Sequence, residues 1–215
     1  MADPAAPLTP PRLLWVEGKD DQAVVHGLCA AHRIPVAFRV EERGGLEKLL
    51  AGISVTVRAA TLQRFGVVVD ANGDVRSRWR DLRRLVVREG YQNVPDAPEE
   101  GGTILPAAPL LPRFGIWIMP DNGSPGALED FAAQLVPAGD ALWTRAGEAV
   151  DSIPEADRRF PGGRRSKAHM HTWLAWQEQP GSPMGQAIGK GDLRADAPAA
   201  LRFVAWLRRL MVDEA

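Results

Sequence analysis

The sequence predicts an α/β fold: a mainly parallel four-stranded sheet flanked by helices, with a helical C-terminal extension. Two observations carry this expectation. Four short apolar runs alternate with amphipathic stretches of helical period, the order that builds right-handed βαβ crossovers. The runs are also continuous rather than alternating, as in strands covered on both faces. With 215 residues, 45% of them hydrophobic and 25% charged, the chain is sized for one domain with a substantial core.

Residues 1–11, MADPAAPLTPP, are proline-rich and read as a disordered lead-in, without the basic and apolar segments of a secretory signal. RLLWV (12–16) is the first strand, ending at Glu17 and Gly18. From Asp20 onward Val24, Val25, Leu28 and Cys29 recur at helical spacing behind an acidic first turn. In this reading Asp20 caps the helix and Asp21 is left free. IPVAFRV (34–40) reads as the second strand and residues 44–60 as a helix. RFGVVVD (64–70) is the clearest buried strand, followed over 76–90 by an amphipathic helix with Trp79, Leu82 and Val86 inward, stopped at Gly90. Residues 91–113, rich in proline and glycine, read as an irregular insertion. FGIWIMPD (114–121) is the fourth strand, ending at Asp121, and residues 126–135 are the next helix. The domain reading is thus an α/β core over 12–140 and a helical part over 141–215 packed on it.

Composition narrows the function classes. A net charge of −1 means that any nucleic-acid contact must come from local clusters of Arg and Lys. The single cysteine, Cys29, excludes an internal disulfide and a thiolate metal cluster, and its apolar neighbours predict a small buried hydrophobe. No run approaches the ~20 apolar residues needed to span a bilayer. The expectation is a cytoplasmic protein with no membrane partner.

The chemistry concentrates where strands end. Ligands of open parallel sheets bind outside the carboxyl ends of the strands. Three strands here run into a carboxylate, namely Glu17, Asp70 and Asp121, with Asp21, Asn72, Asp74 and Glu129 nearby. Such convergence is repulsive unless a cation is shared, and oxygen-only donors suit Mg²⁺ or Mn²⁺. Any one of these acids could instead cap a helix, and the Asn-Gly of DANGD is also a turn dipeptide. It is the agreement of three strand ends that carries the metal reading.

WVEGKDD, VVVDANGD and IMPDN together resemble the motifs of the TOPRIM fold. The nearest likeness is to small standalone TOPRIM-like proteins, related to the nuclease half of the OLD (overcoming lysogenization defect) proteins. The resemblance covers residues 12 to about 132 and continues more loosely through 164–188. It implies that Glu17 and Asp21 form a metal-binding pair, and that a glutamate at the position of Glu17 can act as a general acid or base. It further implies that Asp70 is the principal metal ligand and Asp121 serves a second metal position, with Glu129 a weaker candidate. Asn72 stands where a second acid is usual; it could ligate through its carbonyl but brings no charge, a lack that Asp74 could make good.

Lys167, between RRFPGGRR and a predicted helix, is the candidate cation for a scissile phosphate, or else a solvated loop lysine. Arg158, Arg159, Arg164 and Arg165 form the densest basic stretch, suited to a phosphate backbone. The arginines at 76, 78, 80, 83, 84 and 88 read as a solvated helix face. His169 and His171, two apart on a helix, point different ways. AIGKGD lacks the glycine spacing and the Ser or Thr of a phosphate loop.

The expected function is two-metal phosphodiester chemistry on nucleic acid, DNA favoured over RNA, with catalytic Glu17, Asp70 and Lys167. Defence against phage or mobile DNA is the setting that the resemblance implies. The alternative is a regulatory TOPRIM-like module working with a separate ATPase, since no Walker motif occurs here; an oligomer fits either. A phospho-acceptor receiver domain fits worst, because it needs an acidic pair directly after the first strand.

Overall fold

A computed structural model describes residues 11–35 and 37–213. Residues 1–10 of the expected lead-in, residue 36 and the last two residues lie outside the described residues. Five strands form one sheet: β1 (Arg12–Val16), β2 (Arg39–Glu42), β3 (Arg64–Asp70), β4 (Thr103–Leu105) and β5 (Arg113–Met119), in the order β2-β1-β3-β5-β4. All neighbours are parallel except β4, which runs antiparallel to β5 at the edge.

The continuous apolar runs are buried on both faces, with the alternation that a pleated strand dictates. Leu14, Val16, Val68, Trp117 and Met119 face one core; Leu13, Trp15, Phe65, Val67, Val69, Ile116 and Ile118 face the other. Helix α1 (Lys19–Ala31) covers the first face through Val24, Val25, Leu28 and Cys29. Helices α2 (Leu46–Thr56) and α3 (Val75–Glu89) cover the second, α3 through Trp79, Leu82 and Val86 as its periodicity predicts. The first face is completed by α4 (Leu128–Ala133), α5 (Ala141–Asp151), α6 (Arg165–Ala175), α7 (Met184–Lys190) and α8 (Pro198–Met211).

Close approach of α8 requires glycine. Gly66 and Gly115 are register partners on β3 and β5, and a Cβ on either would collide with Leu210. The end of α8 is held electrostatically as well. Arg12 donates to Met211 O at 2.8 Å and Arg64 to Leu210 O at 3.0 Å, placing cations on the negative end of the helix.

Three expectations are corrected, the first being that the strand expected to end at Asp121 stops at Met119. The sheet has five strands, not four, because three residues of the supposedly irregular insertion pair with β5; a three-residue strand is too short to show a period. The second strand is Arg39–Glu42 rather than 34–40. Ile34 and Phe38 are buried, but Pro35 falls within that run and the ladder begins only beyond it. Three of the four paired residues, Arg39, Glu41 and Glu42, are polar, as suits an edge strand, while Val40 faces the core. No helix among the described residues is long and apolar enough to cross a membrane.

The topology fixes where a ligand can enter. β1 lies between β2 and β3, and the crossover through α1 lies on one face while that through α2 lies on the other. The crevice outside the carboxyl ends of β1 and β3 is therefore the topological switch point. Glu17 follows one of these strands and Asp70 ends the other.

Candidate metal centre

Glu17 and Asp70 are joined across the switch point: Glu17 Oε1 accepts the Asp70 backbone N–H at 2.8 Å. Asp70 Oδ1 in turn accepts the N–H of Leu128, at the start of α4, at 3.1 Å. Arg78 Nε donates to the Asp70 carbonyl at 2.8 Å. That arginine was read with the solvated face of α3, and it instead buttresses the end of β3. Its position one turn into the helix that follows Asp70 was the signal.

The first turns of α1 and α4 repeat one device. Each carries two adjacent acids, Asp20 and Asp21 in α1, Glu129 and Asp130 in α4. In each pair the second acid turns back onto the N-cap amide: Asp21 Oδ2 accepts from Gly18 N at 3.1 Å, and Asp130 Oδ2 from Ala127 N at 2.8 Å. The first acid of each pair faces Lys167, whose Nζ lies 2.6 Å from Glu129 Oε1 and 3.9 Å from Asp20 Oδ2. The expected roles of Asp20 and Asp21 are thus exchanged. Asp21, at 7% exposure, closes the helix, while its Oδ1 is buried with no hydrogen-bond partner.

Burial and like charge act together on these acids. Asp70 is pushed up to about 8, first by burial and then by the charges of Asp21, Glu17 and Glu129. Asp21 is pushed up to about 7, mainly by burial and then by Glu17. Glu17 is raised by burial, which the Asp70 amide and Arg78 partly offset. Burial pulls the Lys167 ammonium down, but the bond to Glu129 and the charges of Glu129 and Asp20 outweigh it and raise the pKa.

Two cavities open here, sharing Asp70, Glu129 and Lys167. The smaller, about 410 Å³, is the acidic one, with Gly18, Lys19, Asp20 and Asp21. The larger, about 500 Å³, adds Asn72, Arg164 and Ser166. The Lys167–Glu129 pair stands between them.

Other expected site residues lie elsewhere. Asp74 caps α3, accepting from Arg76 N at 2.9 Å. Asp121 folds its own loop, accepting from Gly123 N, Ser124 N and Ser124 Oγ at 3.0, 2.7 and 3.0 Å. Neither lines a cavity of the cluster; Glu129, the weaker candidate by sequence, does. Asn72 sits on the rim of the larger cavity with φ 53°, a left-handed conformation that asparagine tolerates, and its backbone pairs with Gly126. Of the four arginines, only Arg164 lines the cavity. Arg165 forms a two-pronged pair with Asp151 at 2.7 and 2.6 Å, Arg158 binds the Ile153 carbonyl, and Arg159 is exposed. His169 is buried against Trp143, whereas His171 is exposed.

Among the described residues, no three His, Cys, Asp or Glu side chains stand together as a finished ligand set. Mg²⁺ does not require one, because it commonly binds through one or two carboxylates, water and substrate phosphate. The donor chemistry fits such an ion. The Asp21 Oδ1 atom has no partner, and burial first, then mutual repulsion, raises Asp21 and Asp70, so that a cation among them would be favoured.

A family model described as "Protein of unknown function (DUF3226)" matches residues 11–212. No curated protein and no solved structure matches the chain.

Proposed function

We propose, for a chain that belongs to the DUF3226 family, Mg²⁺- or Mn²⁺-dependent cleavage or nicking of nucleic acid, DNA favoured. One observation carries the reading: Glu17, Asp21, Asp70 and Glu129 gather at the switch point, with a buried Asp21 oxygen left without a partner. The resemblance of WVEGKDD and VVVDANGD to TOPRIM motifs, and through them to the OLD nucleases, supports it.

Asp70 would hold the ion together with Asp21 or Glu129, one or two carboxylates at a time, with water completing the shell and Asn72 at the rim. Bound there, the ion supplies an acidified water and neutralises charge on the leaving oxygen. Glu17 acts through Asp70, fixing its backbone, and stands ready as a proton acceptor. Lys167 and Arg164 face the larger cavity, where a phosphate would meet them. Asp74 and Asp121 have no part in this scheme, since their oxygens serve local backbone.

The test is a supercoiled plasmid incubated with Mn²⁺ or Mg²⁺. Wild type should relax or linearise it, and Asp70→Asn should lower the rate at least about a hundredfold, the scale of removing one well-placed electrostatic group. Equal activity of the two proteins would defeat the proposal. A wild type that binds Mn²⁺ yet leaves every plasmid intact would favour a module that acts through a partner ATPase.

A further inference from the structure

We propose that Lys167 is a built-in counter-cation of the metal centre, competing with the divalent ion for Glu129 and released into the larger cavity when the ion binds. The inference rests on the metal-centre reading and adds to it a switch between two states of one side chain.

Three features of the geometry point there. Lys167 is gripped from two helices, by Glu129 of α4 at 2.6 Å and Asp20 of α1 at 3.9 Å. These are the two first-turn acids that do not close their own helix. Glu129 is itself buried, and its charge reaches both Asp21 and Asp70. A carboxylate so placed needs a cation, and Lys167 supplies the one in contact with it. The ammonium does not satisfy the remainder of the cluster, since Asp21 Oδ1 stays without a partner. The acidic cavity therefore still attracts an ion of higher charge.

Lys167 also lines both cavities, and its side chain is 42% exposed, on a flexible four-carbon stem. An ion that captured Glu129 would leave the ammonium without its nearest partner. Beside it lie Arg164, Ser166 and Asn72, and beyond them open water. Ion loading would thus convert Lys167 from a partner of Glu129 into an anion donor, and an anion drawing Lys167 away would favour the ion by the same amount.

A purely structural ion pair makes a different prediction, because removing its lysine would tighten the ion only through space, and equally whether or not Glu129 is present. The experiment is calorimetric titration of the metal-stripped full chain with Mn²⁺ at pH 8, with the spin-resonance signal of bound Mn²⁺ as a second readout. Lys167→Met should bind Mn²⁺ about tenfold more tightly, within the usual range of coupling between competing ligands. Lys167→Gln, which keeps a hydrogen-bond donor without the charge, should do the same and carries the test should the methionine variant not fold. Lys19→Met removes an exposed charge from the same acidic cavity and should change affinity less than about twofold, because exposed charges are screened. In a Glu129→Gln background the effect of Lys167→Met should vanish. Unchanged or weaker binding by both Lys167 variants overturns the proposal, as does equal tightening by Lys19→Met. Failure of the underlying reading looks different: wild type would then bind no Mn²⁺, or Asp70→Asn would bind it equally well.

Discussion

The two ends of the sheet treat charge in opposite ways. At the amino ends of β1 and β3, Arg12 and Arg64 reach the last carbonyls of α8, so cations meet a negative helix terminus. At the carboxyl ends of the same two strands, Glu17 and Asp70 meet further acids, and Asp21 keeps a buried oxygen without a partner. The first arrangement stabilises the fold. The second destabilises it whenever the acids ionise; the other buried side-chain atoms without a partner among the described residues are guanidinium and indole nitrogens, and Asp21 Oδ1 is the one carboxylate oxygen. An unbalanced end beside a balanced one is what a ligand site looks like.

The largest expected effect tests the balanced end. Leu210 is fully buried against Gly66 and Gly115, so Leu210→Ala should cost about 2–5 kcal/mol of stability through lost burial and a cavity. Urea unfolding measures it. The folded variant should bind Mn²⁺ as wild type does. Joint loss of stability and of metal affinity in the folded state would erase the contrast between the two ends.

The acidic end should reveal itself through pH. Asp21 and Asp70 have folded-state pKa values of about 7 and about 8, above the ordinary carboxylate value. The unfolded chain therefore releases their protons first as pH rises. Their contribution to stability is complete below about pH 4 and is lost as pH climbs through 7 to 8. Asp70→Asn cannot ionise, so metal-stripped variant and wild type should be similarly stable near pH 4. By pH 8 the variant should be ahead by an amount on the order of 1–3 kcal/mol, discounted for partial solvation. Mn²⁺ should stabilise wild type far more at pH 8 than at pH 5, because its ligands must lose their protons. A stability gap that stays flat with pH would mean that neither burial nor like charge raises these acids.

How much of this was legible depends on the range of the signal. Buried strands announce themselves through local runs of Leu, Val and Phe, so β1, β3 and β5 and the acids at the ends of β1 and β3 could be read directly. β4 could not, because three residues carry no period and its pairing with β5 is a long-range fact. Asp20 and Asp21 are neighbours of equal charge, and which one caps is decided by backbone geometry at Gly18. Glu129 looked like an ordinary first-turn acid; only the tertiary placement of α4 and α6 brings it to Lys167. Conversely, IMPDN suggested that Asp121 ends a strand as Asp70 does. β5 stops at Met119, and the next turn consumes both oxygens of Asp121 on its own loop.

The smallest effect separates capping acids from site acids. Asp74 follows Asp70 by four residues, as Asp21 follows Glu17, and sequence spacing gives both the same claim to a metal. Their surroundings do not. Asp74 is exposed and accepts from Arg76 N, whereas Asp21 is buried with one oxygen unpartnered. Asp74→Ala should therefore cost about 1 kcal/mol, the usual value of a lost helix cap, and change Mn²⁺ affinity by less than about twofold. Asp21→Asn keeps an acceptor for Gly18 N while removing the charge, and should weaken Mn²⁺ binding at least about tenfold at similar stability. Calorimetric titration beside thermal melts distinguishes them. If Asp74→Ala lost the ion and Asp21→Asn kept it, the boundary of the acidic end would have to be redrawn toward α3, with Asn72 and Asp74 inside it.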